Sequence, residues 1–267
     1  MRQLALPTAS LSSVVRHVMT GGFESDRVHL PACADVQLLV YLKGGASLID
    51  PHGAELPLPS VFLVGAVMHP RVYYVQPGSR FVAITFRPGG LHACLGISAA
   101  DVTGRIAPLD LAERDLLALL AADEADAGCV LQAILENAMQ AHGAGTPAIP
   151  VLDHATLNQP IPKLAREFGI SARQFERRCL VSLGMPLREY RRLARYSTAM
   201  AALMVQGAAP VSLANLAQEA GYVDQAHLTR DFAVMVGQPP GRFTRQRADP
   251  RYQLWQFSPE ELATYLT

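Results

Sequence analysis

The chain has 267 residues, 50% hydrophobic and 17% charged, with 23 basic and 23 acidic side chains in formal balance. That length suits two domains better than one, and the composition is that of an ordinary globular protein with ample apolar material for packed cores. The balance hides an asymmetry: residues 1–152 carry 9 basic and 13 acidic side chains (−4), residues 153–248 carry 13 and 7 (+6), and residues 249–267 carry 1 and 3 (−2).

A basic segment fits a polyanionic partner bound in a salt-dependent way. Twelve of its thirteen basic residues are Arg, Lys163 being the exception. Guanidinium forks suit phosphate and guanine edges, although an Arg-rich genome produces the same bias. Cys33, Cys94, Cys129 and Cys179 are far apart and form no C-x-x-C pair, which predicts free buried thiols in a reducing cytoplasm. The start, MRQLALPTAS, has no apolar core long enough for a signal peptide. No apolar run approaches the roughly 18–20 residues of a membrane span. The expected location is the cytoplasm, with no membrane partner.

From about residue 28 to 90 the chain alternates and punctuates as short strands. Val36–Leu42 stops at Lys43-Gly44-Gly45, and Ala46–Ile49 stops at Asp50-Pro51-His52-Gly53. Val61–Val67 follows Leu58-Pro59, Arg71–Val75 stops at Gln76-Pro77-Gly78, and Arg80–Phe86 stops at a Pro88-Gly89-Gly90 turn. Regular short strands with Gly/Pro turns predict a small barrel or sandwich, with Tyr41, Tyr73, Tyr74 and Phe86 expected in its core. Helical spacing follows over Asp110–Ala122, with Asp110, Glu113 and Asp115 near the dipole-favoured start, and over Cys129–Ala141. Such helices either pack back on the barrel or form a dimer seam. His142 to Pro150 is Gly/Pro-rich and reads as a linker.

The remainder reads as helical. Leu152–Leu157 is a short first helix, and Ile161–Phe168 a second with Pro162 harmless in its first turn. Gly169 makes a left-handed turn, Ser171 caps Ala172–Leu183, and a long helix covers Leu187–Gln206. Ser212 caps Leu213–Ala220, Gly221 turns the chain, and Asp224 caps Gln225–Val236. A last helix covers Gly241–Gln246, and the tail with Trp255 is expected to dock on a neighbouring surface.

Within this segment the chain repeats itself. Leu164-Ala165-Arg166-Glu167-Phe168-Gly169 returns 52 residues later as Leu216-Ala217-Gln218-Glu219-Ala220-Gly221. Gly184-Met185-Pro186-Leu187-Arg188-Glu189-Tyr190 returns as Gly237-Gln238-Pro239-Pro240-Gly241-Arg242-Phe243, the second copy having one more residue between its glycines. Helix, glycine turn, helix is the unit that places a helix in the major groove of DNA. Phe175, Cys179 and Leu180, and then Leu228, Phe232 and Met235, form the inward stripes. The outward faces carry Arg173, Gln174, Glu176 and Arg177, and Gln225, His227 and Arg230. Arg pairs with guanine, Gln with adenine, and Glu accepts from cytosine.

These motifs resemble the AraC/XylS-type transcriptional regulators over residues 153–248. The second copy is the closer, through Leu216-Ala217, Glu219-Ala220-Gly221-Tyr222, Leu228-Thr229-Arg230-Asp231-Phe232, Gly237-Gln238-Pro239-Pro240 and Phe243. The first matches through Leu164-Ala165, Gly169-Ile170-Ser171, Arg177, Gly184 and Pro186–Tyr190. The resemblance implies two subdomains joined by the long helix, with two recognition helices entering successive major-groove segments. It places base contact on Arg173, Glu176 and Arg177, and on Gln225, Ala226, His227 and Arg230. Cys179 departs from the family's usual Phe, and Ala226 offers only apolar contact. More loosely, Leu58-Pro59, Leu63-Val64-Gly65 and Phe86-Arg87-Pro88-Gly89-Gly90 resemble the cupin-like sensor domains that precede such DNA-binding domains, which implies effector sensing or dimerisation.

The expected fold is therefore α+β in two domains: a cupin-like β-barrel with a helical extension, then an all-α double helix-turn-helix. The expected limits are 1–142 for the sensor, 143–151 for the linker, 152–248 for the DNA-binding domain and 249–267 for the tail. The expected function is a DNA-binding transcription regulator, an activator and homodimer, with double-stranded DNA, a small-molecule effector and RNA polymerase as partners. Several readings stay open. Arg173, Arg177 and Arg230 are alternatively solvated or paired with Glu176 or Asp231, and His227 alternatively belongs to the helix surface. His29, His52, His69 and His92 form no H-x-H pair, so no metal or cofactor is expected. No G-x-S-x-G, phosphate loop or H-E-x-x-H occurs, and no enzyme is expected. The alternatives are a cupin-like enzyme with an appended helical domain and a barrel that serves only for dimerisation. Two unlike readers predict an asymmetric or direct DNA element.

Overall fold

The structure is a computed structural model that describes residues 3–23, 25–142, 149, 159–205, 212–246 and 251. The predicted helix Leu152–Leu157, nearly all of the predicted linker, and the tail with Trp255 lie outside the described residues.

Ten strands build the N-terminal domain: β1 (Gln3–Ala5), β2 (Val15–Gly22), β3 (Arg27–Leu30), β4 (Val36–Lys43), β5 (Ala46–Ile49), β6 (Glu55–Pro57), β7 (Val61–Val64), β8 (Arg71–Val75), β9 (Arg80–Phe86) and β10 (Ile106–Pro108). They pair into a six-stranded sheet, β1-β2-β9-β4-β7-β10, and a four-stranded sheet, β3-β8-β5-β6. Hydrogen bonding gives two sheets packed through a shared core, and closure into the expected cupin-like barrel is not shown.

The large sheet is covered on both faces, and this explains its nearly unbroken apolar strands. Met19, Tyr41, Phe62, Phe81 and Ala83 face the small sheet and pack with Val28, Tyr73 and Val75. Their neighbours Val18, Val40, Leu63, Val82 and Ile84 face the opposite way, toward helices. Successive strand residues point to opposite faces, so each strand splits cleanly between two cores. Phe86 belongs with the helix-side core. The helices are α1 (Gly90–Leu95), α2 (Ala99–Val102), α3 (Glu113–Ala121) and α4 (Ala127–His142). Pro88-Gly89-Gly90 therefore turns the chain and also starts a helix, with Gly89 at its N-cap. Leu131 and Leu135 pack α4 back on the sheet, whereas α3 buries Leu119 and exposes Leu117 and Leu120.

The C-terminal domain contains α5 (Ile161–Glu167), α6 (Ala172–Leu183), α7 (Leu187–Val205), α8 (Leu213–Glu219), α9 (Gln225–Val236) and α10 (Pro240–Gln246). The long α7 threads both halves, giving Leu187, Leu193, Tyr196, Ala199 and Leu203 to one core with Phe175, Phe232 and Phe243. Each fully buried Leu or Phe of this set contributes roughly 1.5–3 kcal/mol. Ile149, from the predicted linker, is buried in this core as well.

Residues of the N-terminal domain enter the same core: Ala32 and Ala66 are buried in it, and Leu30, Ala34 and Met68 pack against it. Among the described residues, two backbone bonds cross the junction. Ala32 N–H donates to Met235 O at 2.8 Å, and Gly89 N–H donates to Ser182 O at 2.9 Å. Met235 and Ser182 each occupy the next-to-last position of a twelve-residue helix. Each donor therefore satisfies a terminal carbonyl that its helix cannot. Beside them Gly184, at φ 76°, lies so close to α2 that a Cβ would fall 2.0 Å from Thr103 Oγ1.

Candidate nucleic-acid interface

The two helix-turn-helix units are built by the same local rules. Gly169 (φ 64°) and Gly221 (φ 76°) end α5 and α8 in the left-handed region, which costs a residue with a side chain about 1–2 kcal/mol. Ile170 N–H then donates to Ala165 O at 3.0 Å, and Tyr222 N–H to Ala217 O at 2.8 Å, the same bond in each copy.

Both outward helices start on well-made caps. Ser171 Oγ accepts from Gln174 N, and Gln174 Oε1 accepts from Ser171 N at 2.9 Å, a reciprocal capping box. Asp224 Oδ1 accepts from His227 N at 2.7 Å, placing a carboxylate at the positive end of α9.

Cap and core together orient each helix. Phe175, Cys179 and Leu183 are buried in α6, and Leu228, Phe232 and Met235 in α9. Leu180, expected in the first stripe, is 40% exposed instead, because the inward face turns onto Leu183. Outward lie Arg173, Gln174, Glu176 and Arg177 on α6, and Gln225, Ala226 and Arg230 on α9, all exposed. Arg173, Arg177 and Arg230 make no hydrogen bond or ion pair among the described residues, so the alternative pairings with Glu176 and Asp231 are not formed. Gln174 is partly committed, since its carbonyl oxygen serves the cap. His227 is half-buried: its ring stands edge-on to Tyr222 at 5.1 Å, and Nε2 lies 3.8 Å from Asp231 Oδ2.

Asp231 serves Arg192 of α7. Arg192 Nε and Nη2 donate to Asp231 Oδ1 at 3.0 and 2.9 Å, and the carboxylate in turn raises the Arg192 pKa. The Arg195 guanidinium stacks over Tyr222 at 5.8 Å. These α7 residues position the second outward helix, and sequence reasoning missed them. The usable signal was a run of arginines, Arg188, Arg191, Arg192 and Arg195, on one helix packed between both copies.

Tyr41, Phe62, Tyr73 and Phe81 are buried between the two sheets of the N-terminal domain. Burial pushes the phenols of Tyr41 and Tyr73 up. An open depression of about 560 Å³ lies at one rim, lined by Phe23, Ser25, Asp26, Val75, Gln76 and Pro77 among others. Among the described residues no group of three His, Cys, Asp or Glu side chains is placed to hold a metal ion. No described helix is long and apolar enough to cross a membrane.

Two family models match the chain. Residues 164–246 match a helix-turn-helix domain, and residues 3–108 match a domain of unknown function (DUF6597). No curated protein matches significantly. Among solved structures, ToxT from Vibrio cholerae is 12% identical, with 91% of this chain and 98% of that chain covered and a TM-score of 0.46. A wild-type ToxT structure from the same organism, bound to an unsaturated fatty acid, is 13% identical, with 85% and 94% covered and a TM-score of 0.42. Likeness at this level bears on neither effector nor target. The duplicated, capped units with their outward arginines and the match over residues 164–246 agree: this chain carries a helix-turn-helix domain.

Proposed function

We propose that the chain is a sequence-specific DNA-binding transcription regulator whose N-terminal domain responds to a small-molecule effector. The observation that carries this reading is the pair of capped helices, α6 and α9, which present Arg177 and Arg230 from the same place in the repeat, both exposed and without a hydrogen bond or ion pair among the described residues. Arg173, Glu176 and Arg177 read one segment of the major groove, with Gln174 beside them. Gln225, Ala226, His227 and Arg230 read the next. Because the two faces differ, the element bound by one protomer is asymmetric or a direct repeat.

The working division is 1–142 for sensing and dimerisation, 143–151 for the linker, 152–248 for DNA and 249–267 for the tail. The exposed Leu117 and Leu120 of α3 support a homodimer through that helix. The rim depression beside Phe23 and Asp26 supports entry of an effector there. RNA polymerase is the expected further partner of an activator in the cytoplasm. A mobility-shift experiment on the chain's own promoter region, at moderate salt and with and without cell extract, tests the proposal. A shift competed only by specific DNA supports it, and the absence of any specific shift sinks it.

A further inference from the structure

The two turns before the outward helices differ by one residue, and the backbone identifies which. The matching bonds from Ile170 to Ala165 and from Tyr222 to Ala217 make Ile170 and Tyr222 equivalent. Ser171 and Asp224 are equivalent as caps. Val223 is therefore the additional residue of the second copy. Ile170 packs against the core and Tyr222 is buried, but Val223 is 87% exposed, more than any other large hydrophobic residue described, Leu6 being next at 75%.

A single exposed valine is ordinary on a protein surface; the place of this one is not. It immediately precedes the cap of α9, at the end of the helix that comes closest to base edges in a major-groove complex. Ala226, three residues on, is exposed too, and Arg230 lies four residues beyond that. Ala226 and Arg230 therefore share one side of α9, and Val223 stands just before its extended cap residue, Asp224. The order outward from the turn is thus apolar, apolar, guanidinium. Neither Val223 nor Ala226 has a side-chain donor or acceptor, and the apolar group that a base pair shows in the major groove is the thymine 5-methyl.

We propose that Val223, with Ala226 beside it, is a specificity-determining contact for thymine 5-methyl groups in the part of the target read by α9. The inference rests on reading residues 153–248 as a DNA-binding domain. It adds a residue that the outward helix face alone does not include, and it gives the second half-site a chemistry: methyl-bearing pairs flanking the position of Arg230.

The test uses the full-length protein and randomised duplex DNA, enriched in parallel with wild type, Val223→Ala and Arg230→Ala. Each thymine of the wild-type consensus is then replaced singly by deoxyuridine, which lacks only the methyl. At one or two thymines the replacement should weaken wild-type binding about fourfold, the worth of one buried methyl. At one of these thymines at least, the penalty should be lost in Val223→Ala. The position lost from the Arg230→Ala consensus marks the α9 half. Because Val223 makes no core contact, equal thermal unfolding of the two proteins is expected and confirms that folding is not being read. The inference is overturned if Val223→Ala shows the same deoxyuridine penalties as wild type, or if no thymine in the α9 half is sensitive. Failure of wild type to enrich any sequence overturns the DNA-binding reading itself, and this inference with it.

Discussion

Arg192 holds Asp231 with two donors on one oxygen, at 3.0 and 2.9 Å, and so ties the long helix α7 to the second outward helix. Asp231 is largely buried while the Arg192 side chain stays a third exposed. The carboxylate is thus the costlier partner to leave unpaired.

Asp231→Ala should lower stability by about 1.5–3 kcal/mol, the usual worth of hydrogen bonds to a charged group. Arg192→Lys should retain only part of the interaction, because an ammonium cannot form the fork. Urea unfolding of the full chain reads both values. A loss below about 0.5 kcal/mol for Asp231→Ala would reduce the pair to an ordinary surface contact.

Arg230→Ala should weaken binding at the selected target by about 1–3 kcal/mol if it makes a bidentate guanine contact. Its exposure and lack of partners predict unchanged thermal stability. Fluorescence anisotropy on the selected duplex and on one altered at a single guanine measures the loss. Equal weakening on both duplexes would assign Arg230 to phosphate instead.

Gly184→Ala and Gly53→Ala separate backbone strain from crowding. Both glycines have left-handed φ, 76° and 87°, but Gly53 has nothing within 4 Å of its would-be Cβ while Gly184 has Thr103 Oγ1 at 2.0 Å. Gly53→Ala should cost about 1–2 kcal/mol, and Gly184→Ala distinctly more. Equal losses in thermal unfolding would mean that the two domains do not press together at this point.

Thiol chemistry should single out Cys129. It is exposed, whereas Cys94 and Cys179 are buried and their pKa values are pushed up to about 11, and that of Cys33 to about 12, by burial first. A protonated thiol is a poor nucleophile. One equivalent of a disulfide reagent should react quickly at pH 8 and the rest only on unfolding. The same shifts set a stability trend. Stability should hold below about pH 9, the ordinary thiol value here, and fall as the pH rises toward 11 and 12. The unfolded chain then loses protons that the folded one retains. Denaturation followed from pH 8 to 11 checks the sign.

The C-terminal helices were legible because their boundaries are local. Gly169, Ser171, Gly221 and Asp224 each announce a turn or cap within a few residues of the chain. Much of the N-terminal domain was not. The strand Val15–Gly22 buries His17 and Thr20 along with its valines, so it shows neither clean alternation nor a continuous apolar run. The two-sided burial of β9 hid which of Phe81 and Val82 faces which core. Barrel closure depends on pairing between distant strands, which no local pattern states. Within the candidate site, the outward arginines could be read from helical spacing. Arg192 could not, because its partner is 39 residues away and brought near only by packing.

The amide hydrogens of Ala32 and Gly89 that end on Met235 and Ser182 belong to the main chain at both ends. Alanine scanning, the commonest way to map a junction, passes over such links without disturbing them. Only a change that deletes an amide proton, a proline or a backbone ester, would register. It follows that these two links would persist through side-chain changes at Ala32, Met235 and Ser182 that the surrounding packing tolerates, and would keep the two outward helices in register with the rest of the molecule.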